Sequence, residues 1–189
     1  MSNYIESKTF ENKNFTEKEL PKGEYEACTF RNCIFTDSNL SGIIFIACSF
    51  QSCDLSNVKL GNTSFQETNF FDSKLLGLQF SDCNSFLLSL HFEDCILDFS
   101  SFCQLNLKLS RFKNSILKEV DFTQSDLKNV SFQDCELLSA VFENTILEGA
   151  DFRSATNYSI NPAKNKIKKA KFSSDGIRGL LDSYAILIE

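Results

Sequence analysis

Eight cysteines, one histidine and 25 acidic side chains are the groups in this 189-residue chain whose chemistry could be put to work. Eight thiols could build a disulfide framework, a thiolate metal site or a redox pair. Their spacing argues against all three. Cys28 and Cys48 are 20 residues apart, as are Cys33 and Cys53, and no Cys-x-x-Cys pair occurs. The lone His91 adds no ligand cluster, so neither a metal nor a cofactor is expected. There is no Gly-rich phosphate loop, no Trp and no convergent acid, base and nucleophile, so the residues give no reason to expect an enzyme. The acids remain, and their chemistry is that of charge: they repel nucleic acid and attract proteins that bind it.

What must position these residues is a count in fives. Every fifth residue from Phe10 to Phe80 is Phe, Leu or Tyr, for 15 positions. The count slips by two and resumes from Leu87 to Phe152 for 14 more, and 16 of the 20 Phe fall on these beats. A helix repeats every 3.6 residues and a strand every 2, so a period of five describes a chain that turns a corner in each segment. Strand alternation puts the residue two before each beat on the same side. Those residues, from Gly23 to Leu78 and from Ser85 to Ala150, are all uncharged and mostly small. Cys28, Cys33, Cys48, Cys53, Cys95 and Cys135 are among them and read as small buried spacers. Cys103 follows a beat, should face outward, and is the candidate reactive thiol.

Ala150-Asp151-Phe152, Ser38-Asn39-Leu40 and Val120-Asp121-Phe122 resemble the pentapeptide-repeat motif, a small residue, then Asn or Asp, then Leu or Phe. The resemblance covers about residues 23–154. It implies an all-β fold, a right-handed quadrilateral parallel β-helix with four pentapeptides per coil, so that residues 20 apart stack. The residues agree: Phe92, Phe112, Phe132 and Phe152 would form one column, Phe102, Phe122 and Phe142 the opposite one, and Leu87, Leu107, Leu127 and Leu147 a third. The expected organisation is a solenoid over residues 1–155 with a phase shift at 81–86, then a cap or dimerisation segment over 156–189.

The regular pattern is broken in three places. The earliest inward positions are Lys8, Lys13 and Lys18, which implies either a frayed first coil or a cap whose lysines reach water. The break at 81–86 reads as a bulge or as a contact loop exposing Phe86. After Phe152, Ser173-Ser174-Asp175 supplies a helix N-cap signal. A helix over about 174–184 then carries the stripe Ile177, Leu180, Leu181 and Tyr184, followed by Ile186 and Ile188. This stripe and tail are expected to pair two copies as a homodimer.

Net charge is −3 over residues 1–80, −6 over 81–155 and +3 over 156–189. Duplex DNA carries one charge per roughly 1.7 Å, so a rod of roughly 34 Å would need about 20 to match it. The solenoid has −9, which makes mimicry partial unless the acids share a face. Asp94, Asp98, Glu119, Asp121, Asp126, Asp134 and Glu136 are the candidate partner-binding acids, with Phe86. The rod, its acidity and its C-terminal segment resemble the Qnr and MfpA quinolone-resistance branch. That resemblance implies a dimeric DNA mimic that binds DNA gyrase or topoisomerase IV. A scaffold for an unrelated protein is the alternative. The first residues carry no secretory pattern and no apolar run reaches membrane length, so a cytoplasmic protein is expected, with no direct contact to nucleic acid or membrane.

Overall fold

The computed structural model describes residues 3–187. The chain folds as a right-handed, four-sided parallel β-helix. Eleven short strands mark two of its sides. One side is the four-stranded sheet β1 (Asn3–Glu6), β3 (Gly23–Glu26), β5 (Ile44–Ile46) and β7 (Ser64–Gln66). The next side is a seven-stranded sheet of β2 (Thr9–Glu11), β4 (Thr29–Arg31), β6 (Ser49–Gln51), β8 (Thr68–Phe71), β9 (Leu90–Glu93), β10 (Arg111–Lys113) and β11 (Phe132–Gln133). All pairings are parallel.

The period of five has a backbone cause. Two residues after most beats the chain takes a left-handed conformation, as at Asn32 (φ 51°), Asp37 (φ 57°), Asn57 (φ 57°), Glu119 (φ 54°) and Asn129 (φ 60°). Short polar residues and Gly tolerate that region best, which is why the corners are rich in Asn, Asp and Gly. At many corners the N–H three residues after the beat donates back to the beat carbonyl, as in Ser38 to Phe35 (2.8 Å) and Val130 to Leu127 (3.1 Å). The corner N–H itself donates to the next coil, as in Asn32 to Gln51 (2.9 Å) and Glu119 to Leu138 (2.9 Å).

Inside, the beats form ladders. Phe10, Phe30, Phe50, Phe70, Phe92, Phe112, Phe132, Phe152 and Phe172 stack with centroids 4.7–5.5 Å apart. All of these rings but Phe172 also meet a neighbour across the column edge-on, as Phe112 meets Phe122 at 88°. Both geometries suit the aromatic quadrupole. The ladder therefore runs past residue 155, with bridges Ile146↔Lys166 and Asp151↔Lys171. The expected boundary at 155 falls inside it.

The extra two residues lie at the end of the expected break at 81–86 and just beyond it. Pairing is 20 apart at Ser64↔Asn84 and 22 apart at Thr68↔Leu90, so the insertion lies between Asn84 and Leu90. Leu87 is not the inward beat: it is 56% exposed and Leu88, 3% exposed, takes the interior place. Ser85, expected inward, is exposed for the same reason. The bulge re-aims the chain, and Phe70 and Phe92 still stack at 5.2 Å across it.

The C-terminal helix also differs. Gly176–Leu180 and Asp182–Tyr184 are two short 3-10 turns rather than one α-helix. Gly176 and Gly179 lie so close to Tyr158 that neither could carry a Cβ in place. Two glycines in so short a segment favour no continuous helix. Ser173 Oγ, not Asp175, accepts the first N–H, from Gly176 at 3.1 Å.

The misplaced beat gives a direct test. Leu88→Ala is expected to lower unfolding free energy by about 2–5 kcal/mol, while Leu87→Ala should change it by less than about 0.5 kcal/mol. Urea melts of the two variants measure the difference, and equal losses would overturn the assigned register.

Candidate protein-binding faces of the rod

The inward thiols are used structurally. Cys48 Sγ donates to Tyr25 O (3.2 Å), Cys53 to Phe30 O (3.4 Å) and Cys95 to Phe70 O (3.4 Å). Thr63, Ser100 and Thr145 hydroxyls make the same bond to Leu40, Leu75 and Phe122 carbonyls. Burial pushes the thiols of Cys48, Cys53, Cys95 and Cys135 up from an ordinary 9.0 to about 12. Cys103 is half-buried, and burial and then Asp121 raise it too. His91 is half-buried and bridges Asn69 Oδ1 (3.1 Å) and Leu109 O (3.2 Å).

The seven candidate acids fall into three groups. Asp121 and Asp126 precede a beat, and their carboxylates accept the N–H two residues on, from Thr123 (2.8 Å) and Lys128 (3.2 Å). Asp54 and Asp151 do the same for Ser56 and Arg153. The repeated Asp or Asn before each beat is thus a turn device. Asp126 and Glu136 are also ion-paired, to Lys108 (2.7 Å) and Lys118 (3.5 Å). Asp98 accepts Lys118 N–H at 3.0 Å.

Asp94, Asp134 and Glu119 remain, all exposed left-handed corner residues. Asp94 and Asp134 share one corner with Asp72, which is not among the seven candidates. The corner runs Ser52, Asp72, Asp94, Asn114, Asp134 over successive coils, tied by Ser52 to Asp72 (2.9 Å) and by Asn114 to Asp94. Glu119 lies on a different corner. The seven acids are therefore not gathered on one face. Of the 12 acids between residues 81 and 155, Glu93, Asp126, Glu136, Glu143, Glu148 and Asp151 are ion-paired, mostly one coil apart. Such exposed pairs add little stability, but they cancel field.

The apolar surface is legible from the Phe residues that miss the beat. Phe172 extends the interior column, whereas Phe71, Phe86 and Phe99 are 37%, 67% and 58% exposed. Phe99 holds a left-handed corner (φ 63°), an uncommon place for a bulky side chain. Phe86 stands on the insertion beside Leu87.

At the far end, Ile177, Tyr184 and Ile186 are exposed, while Leu180 and Leu181 are half-buried. Ile188 lies outside the described residues. An open hollow of about 490 Å³ lies beside the contact of this segment with the last coils, lined by Leu138, Arg153, Tyr158, Arg178 and Asp182 among others. Tyr158 Oη is buried against Gly176 and has no hydrogen-bond partner among the described residues. Among the described residues no cluster of three potential metal ligands occurs, and no helix is long and apolar enough to cross a membrane.

This architecture, a coil turned by left-handed corners around stacked Phe and Leu, is that of the pentapeptide repeats. A model of the pentapeptide repeat region matches residues 23–102 and 43–122. The chain belongs to the pentapeptide-repeat family. No curated protein sequence matches it. Among solved structures, a trypsin-treated form of QnrB1, a plasmid-mediated fluoroquinolone resistance protein, is similar with TM-score 0.63 at 15% identity, over 100% of this chain and 98% of that one. HetL, a pentapeptide repeat protein involved in heterocyst differentiation regulation in the cyanobacterium Nostoc, is similar with TM-score 0.56 at 13% identity, over 89% and 86%. At these identities the likeness is one of fold.

The buried thiols predict a pH dependence. Their folded pKa lies above the unfolded value, so the unfolded chain releases these protons first. The stability they contribute is whole below about pH 9 and is lost as pH rises toward 12. Urea melts at pH 7 and pH 10 should show the decline, and Cys→Val at Cys48 and Cys53 should flatten it. An equal decline in that variant would assign it to other groups.

Proposed function

We propose that this rod binds a type II topoisomerase, DNA gyrase or topoisomerase IV, in place of duplex DNA, and that it does no catalysis itself. The observation that carries the proposal is the corner of Asp72, Asp94 and Asp134, a row of exposed carboxylates along the rod axis with no ion pair among the described residues. At about 4.8 Å per coil, such a row presents axial negative charge to a surface built for phosphates. Support also comes from the rod of QnrB1, which this chain follows over its whole length. On this reading the bound protein shields the enzyme from quinolones.

A second reading has its own support. Half of the acids in residues 81–155 are ion-paired and the rest are spread over several faces. HetL, with the same fold, is described in developmental regulation. A scaffold for a different protein would need no continuous negative stripe, and the exposed Phe71, Phe86 and Phe99 would serve it as anchors.

Supercoiling by purified gyrase, with and without a fluoroquinolone, separates the two. The protein should inhibit supercoiling or relieve the drug at micromolar concentration, and D72N/D94N/D134N should weaken that effect at least about tenfold, the loss of some 1.4 kcal/mol of binding. No effect of the wild type on either topoisomerase would leave the scaffold reading.

We also propose that Ile177, Leu180, Leu181, Tyr184 and Ile186, continuing into Ile188, pair two copies about a two-fold axis. Light scattering should show a dimer that L181E/Y184E converts to monomer. A monomeric wild type would refute the pairing.

A further inference from the structure

The two ends of the rod are finished differently. At the C-terminal end the chain folds back over the last coil: Gly176 and Gly179 lie on Tyr158, and Ile160 N–H donates to Gly179 O at 2.8 Å. At the N-terminal end β1 and β2 are the outer strands of their sheets. Ile5 and Phe10, at the end of the column, are only half-buried.

The inward residue two before the beat is buried at Cys28, Cys33, Ser38, Cys48 and onward through Asn165, apart from Ser85 in the insertion. In the first described coil the same places hold Lys8, Lys13 and Lys18, all exposed. The coil is nonetheless formed at the first two. Thr29 N–H donates to Lys8 O (2.9 Å) and Ile34 N–H to Lys13 O (2.8 Å). There only the lysine side chains leave the column; around Lys18 the backbone leaves it too, since neither Glu17 nor Lys22 takes the left-handed corner that Asp37 and Gly42 take one coil on. Among the described residues they make no ion pair. A coil of this kind stacked on it would enclose the Lys8 and Lys13 ammonium groups.

We propose that Lys8, Lys13 and Lys18 are a charged guard that keeps two copies from pairing N-terminal coil to N-terminal coil. An open strand edge is a template for another chain, and lysine is a common means of blunting it. The occupant this edge would otherwise take is a second copy about a two-fold axis, which sets like edges antiparallel. The C-terminal edge is already covered, so head-to-head pairing is the open route. That pairing would press six ammonium groups together where the fold elsewhere admits small uncharged residues, combining desolvation with like-charge repulsion.

The test is the mass of the purified protein by sedimentation, in the absence of any topoisomerase, so its outcome is independent of the function proposed above. K8S/K13S/K18S installs the small polar residue that later coils carry at Ser38, Ser73 and Ser115. It should at least double the mass relative to wild type, with Asn3–Glu6 amides gaining protection from hydrogen exchange. K8E/K13E/K18E, which restores charge of the other sign, should keep the wild-type mass. K59S/K74S/K166S, with the same change in net charge away from the edge, should also keep it. Circular dichroism confirms that each variant is folded, and K8S/K13S serves if the triple is not. A serine variant with wild-type mass would overturn the proposal, as would a glutamate variant or a control that associates equally.

Discussion

The structure depends on one conformational constraint, a left-handed residue two places after the beat. For an ordinary L-residue that conformation costs roughly 1–2 kcal/mol, and the chain adopts it at most of its corners. The cost is offset because each corner does two things at once. It turns the chain by a side of the square, and it aims its own N–H at a carbonyl one coil away, as Gln124 does toward Glu143 (2.8 Å). Without the corners the beats could not return to the same column, and the Phe and Leu ladders would have nothing to align them.

The interior then admits two sizes of residue. The beat fills the column, and the residue two before it must be small enough to pass beside the next ring. It must also be apolar or able to donate to a carbonyl overhead. Cysteine, serine and threonine meet both conditions, which is why they interchange there. The insertion shows how local the requirement is. Two extra residues displace Leu87 outward and bring Leu88 inward, yet the Phe column continues and Phe80 stacks on Phe102 at 4.6 Å. Neighbour-only stacking of this kind is the general property of solenoids.

Much of this was legible in the sequence because the pattern that specifies the fold is periodic. Leu87 shows where periodicity misleads. With two adjacent leucines in the insertion, the count in fives cannot tell which faces inward, since the choice is made by the backbone of the bulge. The C-terminal stripe Ile177, Leu180, Leu181 and Tyr184 has helical spacing, but the contact of Gly176 and Gly179 with Tyr158 is a tertiary fact that spacing does not contain. The candidate acids divide along the same line. Asp121 and Asp126 are explained by the turn they close, whereas Asp72, Asp94 and Asp134 share a corner because each lies two residues after a beat of one column, Phe70, Phe92 and Phe132.

Function in such a rod can reside only where the repeat leaves freedom, at three outward positions in five and at the departures from rule. The outward acids are constrained further. A carboxylate before a beat is held by its own turn, and one that faces a lysine a coil away is neutralised. A corner carboxylate escapes both, because its side chain projects from the edge of the square while its backbone carries the structural duty. Asp94 fits this description: its N–H is bonded to Lys113 O (3.2 Å), and its carboxylate accepts from the neutral Asn114 and makes no ion pair among the described residues. The same logic applies to Phe99, whose N–H joins Lys118 O (2.9 Å) while its ring is left to water. Residues that bear the cost of a corner and still present charge or apolar area outward are therefore the places where selection for a partner would leave its mark.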